Sequence, residues 1–147
     1  MEYTVKVDRD GTVRYYKPGS NLLHREDGPA LVRPYGYKAW FREGKRHREN
    51  GPAQIFPYGT DRWFINDLLH REDGPAISMT NGYKAWYRRG LHHREDGPAI
   101  EHADGSKEWW IDGKRLSEEE FKNRTKEAKV RTFTVPKGTK EISICIE

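Results

Sequence analysis

The sequence predicts a mainly β fold: an elongated antiparallel meander of β-hairpin repeats with a capping helix and a terminal β-hairpin at its C-terminal end. Two observations lead to this fold class. A heptapeptide, His-Arg-Glu-Asp-Gly-Pro-Ala, recurs every 23 residues, and glycine and tryptophan positions recur with the same period. Two strands with their turns fill such a period and leave no room for a helix in each unit. We therefore expect about five stacked hairpins.

The heptapeptide, called the motif below, is the clearest repeated element. It is complete at residues 24–30, 70–76 and 93–99, and the copy at 47–53 differs only by Asn50 in place of aspartate. The glycines with the same spacing are Gly36, Gly59, Gly82 and Gly105. The tryptophans are Trp40, Trp63, Trp86 and Trp109, and an aromatic residue follows each of them. Repetition of this kind is typical of stacked units that share a continuous core.

One unit can be divided into its elements by its turns. Residues 99–102 follow Gly-Pro-Ala and are expected to form a first strand. Asp104-Gly105 is a strong hairpin signal, and residues 107–111 are expected to form the second strand before a turn at Asp112-Gly113. Two strands per unit predict a meander of roughly ten strands.

The array has recognisable ends. Residues 10–16 match residues 104–110, which places the beginning of the array near Val5. Ser117 and Glu120 form a capping-box pattern, and Leu116 and Phe121 are spaced as a hydrophobic staple, so a helix is expected from about residue 118 to 128. The chain then divides into a repeat array at 1–116, a capping helix at 117–129 and a β-hairpin at 130–147, within one structural domain.

The predicted terminal hairpin has an apolar stripe formed by Ile142, Ile144 and Ile146. Residues that alternate in a strand share one face, so this stripe must be covered by the array, the helix or another subunit. A homodimer through the hairpin is therefore one open alternative.

The 23-residue glycine and aromatic period resembles MORN-type repeats, in the variant form found in many bacterial and phage proteins. The motif-bearing unit that ends in residues 113–121 also resembles a recurrent family of phage, bacterial and giant-virus proteins. The resemblance covers about residues 5–121. It implies a binding or scaffolding module, and it favours a phage accessory protein that binds or sequesters a component of host defence.

Composition limits the possible functions. The net charge is +4, which permits an acidic partner without requiring one. The N-terminus lacks the apolar run of a signal peptide, and no stretch of 18 apolar residues could span a membrane. The single cysteine, Cys145, cannot form an internal disulfide and indicates a reducing compartment. These features predict a cytoplasmic protein without membrane contact.

Catalysis and metal binding are disfavoured by the repetition itself. Equivalent histidines in neighbouring units should lie about 9–10 Å apart, too far to share one zinc ion. A motif copied four times creates four similar environments, whereas an active site is normally singular. We expect no enzyme, metal or cofactor. Instead, Arg and Glu should pair with each other or with the next unit, and His and Asp should satisfy turn amides. An enzyme would need one unit with a different setting, and Asn50 is the one departure.

A candidate binding surface follows from the alternation of strand residues. Lys38, Trp40 and Arg42 should share one face, and Tyr37 and Ala39 the other. Basic and aromatic side chains together suit an anion that bears a flat ring. The candidate ligand-binding residues are Lys38, Trp40, Arg42, Arg62, Trp63, Lys84, Trp86, Arg88, Lys107 and Trp109. Which of the two faces is buried stays open.

Three binding functions are compatible with this surface. A host protein partner is the first, and a small anionic ligand of nucleotide type, held without turnover, is the second. Nucleic acid is the third and is not favoured, because a ladder spaced at about 9–10 Å does not match stacked bases.

Overall fold

A computed structural model describes residues 2–129 of the chain. This part has seventeen short strands, one turn of 3-10 helix at Pro34–Gly36 and one α-helix. The strands are β1 (Thr4–Val7), β2 (Val13–Tyr16), β3 (Leu31–Val32), β4 (Lys38–Ala39), β5 (Phe41–Arg42), β6 (Lys45–Arg46), β7 (Gln54–Ile55), β8 (Asp61–Arg62), β9 (Phe64–Ile65), β10 (Leu68–Leu69), β11 (Ile77–Ser78), β12 (Lys84–Ala85), β13 (Tyr87–Arg88), β14 (Leu91–His92), β15 (Ile100–Glu101), β16 (Lys107–Ile111) and β17 (Lys114–Leu116).

The strands form one long antiparallel sheet and three side hairpins. The long sheet has eleven strands in the order β1-β2-β3-β4-β7-β8-β11-β12-β15-β16-β17. The side hairpins pair β5 with β6, β9 with β10 and β13 with β14. The predicted fold class, a long antiparallel meander with a C-terminal helix, is confirmed. The hairpin predicted at 130–147 lies outside the described residues.

Three of the units contain a side hairpin that the prediction of two strands per unit misses. At Trp40 the chain passes from the long sheet into the hairpin: its N–H donates to the Ala53 carbonyl at 2.8 Å, and its carbonyl accepts from His47 N–H at 3.1 Å. The next turn has two residues with positive φ, Glu43 at 50° and Gly44 at 78°. Such a type I′ turn reverses the chain at once, so a second short strand returns to the motif.

The core is built mainly from small side chains. The alanine that ends each motif is fully buried, as Ala39 and Ala85 of the long sheet are too. In contrast Lys38 and Lys84 are exposed, and Trp40 is half-buried. The alanine face is therefore the more deeply buried one, and the four repeated tryptophans are half-buried.

The helix α1 (Glu118–Lys129) begins with the predicted capping box. Glu120 N–H donates to Ser117 Oγ at 3.1 Å, and Ser117 N–H donates to the Glu120 carboxylate at 2.7 Å. Phe121 is buried, and the helix packs against β16 and β17. It thus covers the C-terminal edge of the sheet. Within residues 2–129, α1 is too short and too polar to cross a membrane.

Candidate functional site: the repeated motif and its grooves

The arginine of every motif lies over an aromatic ring. Its guanidinium carbon lies 3.9–4.0 Å from the ring centroid in the pairs Arg25–Tyr15, Arg48–Trp40, Arg71–Trp63 and Arg94–Trp86. Its Nη1 donates to the proline carbonyl four residues later, for example from Arg48 to Pro52 at 3.1 Å. Cation–π attraction and a buried stem therefore hold each guanidinium in one orientation.

The aspartate of the motif binds the same arginine. Asp27, Asp73 and Asp96 each accept a hydrogen bond from the arginine Nε at 2.7 Å. This bond is the main reason that the pKa values of Asp27 and Asp73 lie below their usual range. These pairs are charge-assisted hydrogen bonds and are stronger than neutral ones.

The second unit lacks this carboxylate because Asn50 stands in its place. Arg48 has no ion pair with any carboxylate among residues 2–129. Burial alone lowers the pKa of Arg48, whereas the hydrogen bond to Asp27 raises the pKa of Arg25. The two arginines have the same stacking geometry and differ in charge compensation.

The histidine of each motif caps the turn of the next side hairpin or of the β16–β17 hairpin. Its Nδ1 accepts a hydrogen bond from the backbone N–H 19 residues later, at Glu43, Asn66, Arg89 and Asp112, at distances of 3.1–3.3 Å. These residues are the first positive-φ residues of their turns. The histidine thus supplies a side-chain acceptor to a turn amide and stabilises the turn. Its Nε2 faces the motif glutamate, most closely in His93–Glu95 at 3.1 Å.

The backbone of the motif joins two units. His47 N–H donates to Trp40 of its own unit, and Arg48 N–H donates to the Phe64 carbonyl of the next unit, both at 3.1 Å. The same two bonds recur at the other motifs. The expectation that His satisfies turn amides agrees with this geometry. The motif arginine pairs with the motif aspartate in three motifs. The motif glutamate faces the histidine, and in two units it also pairs with a side-hairpin arginine, in Arg42–Glu49 and Arg88–Glu95.

Three grooves lie between consecutive motifs. Groove A is lined by residues 25–29, Trp40, Arg42 and residues 47–50; groove B by residues 48–50, Trp63, Ile65 and residues 70–73; groove C by residues 71–75, Trp86, Arg88 and residues 93–96. Their volumes are about 710, 570 and 650 Å³. Because each groove shares a motif with the next, the three form one continuous surface.

The charges of this surface are nearly balanced. Groove C has three arginines and four carboxylates, and groove A has three of each. The motif carboxylates are more accessible than the motif arginines: the side chains of Glu72 and Asp73 are 86% and 79% exposed, whereas that of Arg71 is 24% exposed. The surface therefore has no general excess of positive charge that would attract anions.

The ten sequence-predicted site residues fall into three groups. Trp40, Arg42, Trp63, Trp86 and Arg88 line grooves A–C. Lys107 and Trp109 line a separate groove of about 440 Å³ beside the start of α1. Lys38, Arg62 and Lys84 line none of these grooves. The structure thus brings three of the four tryptophans together with Arg42 and Arg88, and it places all three lysines outside grooves A–C.

Arg62 has a setting of its own in β8. Its guanidinium lies 5.1 Å from the Phe56 ring centroid, and its Nε is buried without a hydrogen-bond partner among the described residues. Gln54, its partner across the strands, likewise has an unbonded buried Oε1. In the third unit the same two positions are Ile77 and Ala85, so this polar pair is particular to the second unit.

The equivalent residues Arg42 and Arg88 also differ in their partners. Arg88 donates to Asp112 at 2.8 Å and to Glu95 at 3.3 Å. Arg42 forms one longer ion pair within the described part of the chain, with Glu49 at 3.7 Å. The position that corresponds to Asp112 one unit after Arg42 is Asn66. Groove A therefore has two arginines that lack the carboxylate of their counterparts.

Sequence reasoning missed the motif arginines as part of this surface. The signal is present in the sequence. Three motif arginines follow a tryptophan by eight residues, and in the first unit Arg25 follows Tyr15 by ten. The stacking could not be derived from that spacing without the side hairpin that brings the motif back over the ring.

Residues 2–129 contain no group of three or more His, Cys, Asp or Glu side chains placed to hold a metal ion. No protein-family model matches the chain. No curated protein matches it either. The geometry of the motif surface is therefore the basis for inferring function.

Proposed function

We propose that the chain is a non-catalytic binding module that holds a protein partner along grooves A–C. One observation supports this proposal. The backbone of each motif joins two units, and the tryptophans, the side-hairpin arginines Arg42 and Arg88 and the motif glutamates line one continuous surface of grooves. Tryptophan and arginine are the residues most often found as energetic centres of protein interfaces. The resemblance to phage and bacterial repeat proteins favours a host component as this partner.

The similarity of the three grooves supports binding over catalysis. General acid–base chemistry needs one pocket in which pKa values are tuned to the reaction. Here the His, Arg, Glu and Asp of each motif have nearly the same partners in every unit, and Asn50 is the exception. A long surface with repeated contact points suits a macromolecule.

The balance of charge supports a protein over a nucleotide. A nucleotide requires compensation of its phosphates, and groove C has more carboxylates than arginines. A protein partner can match alternating charges along its length. A nucleotide-type ligand stays the second prediction, with the basic and aromatic residues named above as its site.

The test compares two exposed glutamates in affinity purification from host-cell lysate with the tagged full chain. Glu72 lines grooves B and C, and Glu119 lies on α1 away from them. We expect the wild type and Glu119→Lys to retain a stable partner and Glu72→Lys to retain less of it. Equal retention by Glu72→Lys would contradict the proposed surface.

A parallel thermal-shift screen with nucleotides distinguishes nucleotide binding from binding of a protein partner. A ligand at 100 times its dissociation constant adds about 2.7 kcal/mol to the free energy of unfolding. A clear shift with one nucleotide, together with no retained protein, would replace the protein partner with a nucleotide.

A further inference from the structure

Three of the four motif arginines pair with a carboxylate, which indicates the kind of group that fits Arg48. In those units a carboxylate oxygen of Asp27, Asp73 or Asp96 lies 2.7 Å from the arginine Nε. The arginine is stacked on its ring and bonded to a proline carbonyl in every unit. A fixed guanidinium edge of this kind matches a planar carboxylate through parallel hydrogen bonds.

Arg48 keeps the whole frame and lacks the carboxylate. Its guanidinium carbon lies 3.9 Å from the Trp40 ring centroid, and its Nη1 donates to Pro52 at 3.1 Å. The Asn50 side chain makes no hydrogen bond to Arg48. The cation is half-buried, and burial without a counter-ion lowers its pKa. Pairing with a carboxylate would offset that cost.

A second cation lies in the same groove. Arg42 lines groove A together with Arg48, and its 3.7 Å contact with Glu49 is looser than the two bonds of Arg88. Glu49 leaves room for a second carboxylate beside it. Its equivalent in the next motif, Glu72, is followed directly by the carboxylate of Asp73. With Asn50 and Asn66 at these positions, groove A contains one guanidinium group without an ion pair among the described residues, that of Arg48, and one that is loosely paired, that of Arg42.

We propose that groove A binds a carboxylate from another molecule on Arg48, in the place that the motif aspartate fills in the other units. This proposal rests on the proposed function and specifies its chemistry: the partner presents an acidic side chain to groove A. The same carboxylate chemistry can come from a free organic acid, and the test distinguishes the two sources.

Two variants exchange the settings of Arg48, which has no carboxylate partner in the described part of the chain, and Arg71, which has one. Asn50→Asp supplies Arg48 with its own carboxylate, and Asp73→Asn creates at Arg71 the setting that Arg48 has in the wild type. Both changes alter one side-chain group in an exposed motif position and keep the backbone pattern.

The measurement is the NMR signal of the arginine Nε–H groups of the full chain at constant ionic strength. The probes are acetate, a capped glutamate-containing peptide and its glutamine counterpart. In the wild type we expect a saturable shift of the Arg48 signal with both carboxylates and none with the glutamine peptide. Asn50→Asp should weaken carboxylate binding by at least about tenfold, the loss expected for a charge-assisted hydrogen bond. Asp73→Asn should gain a saturable shift at Arg71.

The outcomes separate the site from the proposed function. Stronger binding of the glutamate peptide than of acetate identifies a protein source, and equal binding identifies the carboxylate alone. Equal carboxylate binding by the wild type and Asn50→Asp, or no shift at Arg48, overturns the site. If the wild type and Asn50→Asp both retain a lysate partner although the NMR signal of Arg48 does not respond, the proposed function is supported and the carboxylate site is rejected. A shift at Arg48 without any retained partner supports the site and rejects the protein partner.

Discussion

Arg71 combines the three contacts that define the motif arginine. It lies 4.0 Å from the Trp63 ring centroid, donates through Nε to Asp73 at 2.7 Å, and donates through Nη1 to Pro75 at 3.3 Å. We predict that Arg71→Ala lowers the free energy of unfolding by about 2 kcal/mol, because stacking and the bond to the partly buried Pro75 carbonyl are lost together. Arg71→Lys should recover little, since an ammonium lacks the planar fork.

Chemical denaturation measures this effect, with Arg124→Ala on the exposed side of α1 as the control. The control should change the free energy of unfolding by less than about 0.5 kcal/mol. Full recovery by Arg71→Lys would show that charge alone matters and would contradict the stacking role.

His92 predicts a specific dependence of stability on pH. Its ring lies 4.1 Å from Tyr87 and 5.4 Å from Trp110, between centroids, and its Nδ1 is buried without a partner in the described part of the chain. Burial lowers the pKa of His92 below its ordinary 6.5, against smaller opposing effects of Glu108 and of the Trp86 backbone. The unfolded chain therefore takes up a proton first. The contribution of His92 is complete above the ordinary pKa and is lost as pH falls towards the lowered one.

The measurement is the free energy of unfolding from about pH 8 to about pH 5, the range in which histidine titrates. His92→Phe keeps an aromatic ring beside Tyr87 and Trp110 and removes the titrating group. Its stability should fall less steeply with decreasing pH than that of the wild type. Identical slopes would mean that His92 is not preferentially neutral in the fold.

At the scale of single residues, the sequence predicted which positions matter and not what they touch. The period identified Trp40 and Asn50, because repetition and its interruption are visible in one chain. The stacking of Arg48 on Trp40 depends on a chain reversal between them. The placement of Lys38 away from the grooves has the same cause, since the strand leaves the long sheet at Trp40 and strict alternation ends there.

Among the elements, α1 was the most predictable because its signal is local. The predicted start and capping box are observed, and the hydrogen bond from Ser117 N–H lowers the pKa of Glu120. We predict that Ser117→Ala lowers the free energy of unfolding by about 1 kcal/mol, the usual cost of a lost N-cap. Thermal unfolding followed by circular dichroism measures it. Glu119→Gln, an exposed neighbour on the same turn, should have a smaller effect, and a reversed order would contradict the capping role.

The side hairpins were missed for a reason that applies to elements in general. β6, β10 and β14 have two residues each, and two residues are too few to show the alternation that identifies a strand. In the sequence, the type I′ turn before each of these strands resembles the turn that would close a two-strand unit. The structure uses them to return the chain, so that the motif histidine and arginine reach the next unit.

At the scale of the whole molecule, the period determined the fold class. Each unit exposes a sheet edge that its neighbour covers, and α1 covers the last one, so a regular sequence gives a regular array. Every motif joins two units through its backbone, and at Asn50 the carboxylate of that joint is absent. The binding function that we propose belongs to the joined surface of grooves A–C.

The decisive measurement of the shared role of the motifs is chemical denaturation of Asn50→Asp and Asp73→Asn side by side, with the free energy of unfolding as the readout. If the motif is the same joint in every unit, Asn50→Asp adds the missing bond to Arg48 and raises stability. Asp73→Asn removes the equivalent bond from Arg71 and lowers it. A loss of stability in Asn50→Asp, or no change in either variant, would contradict the account and give each motif a separate role.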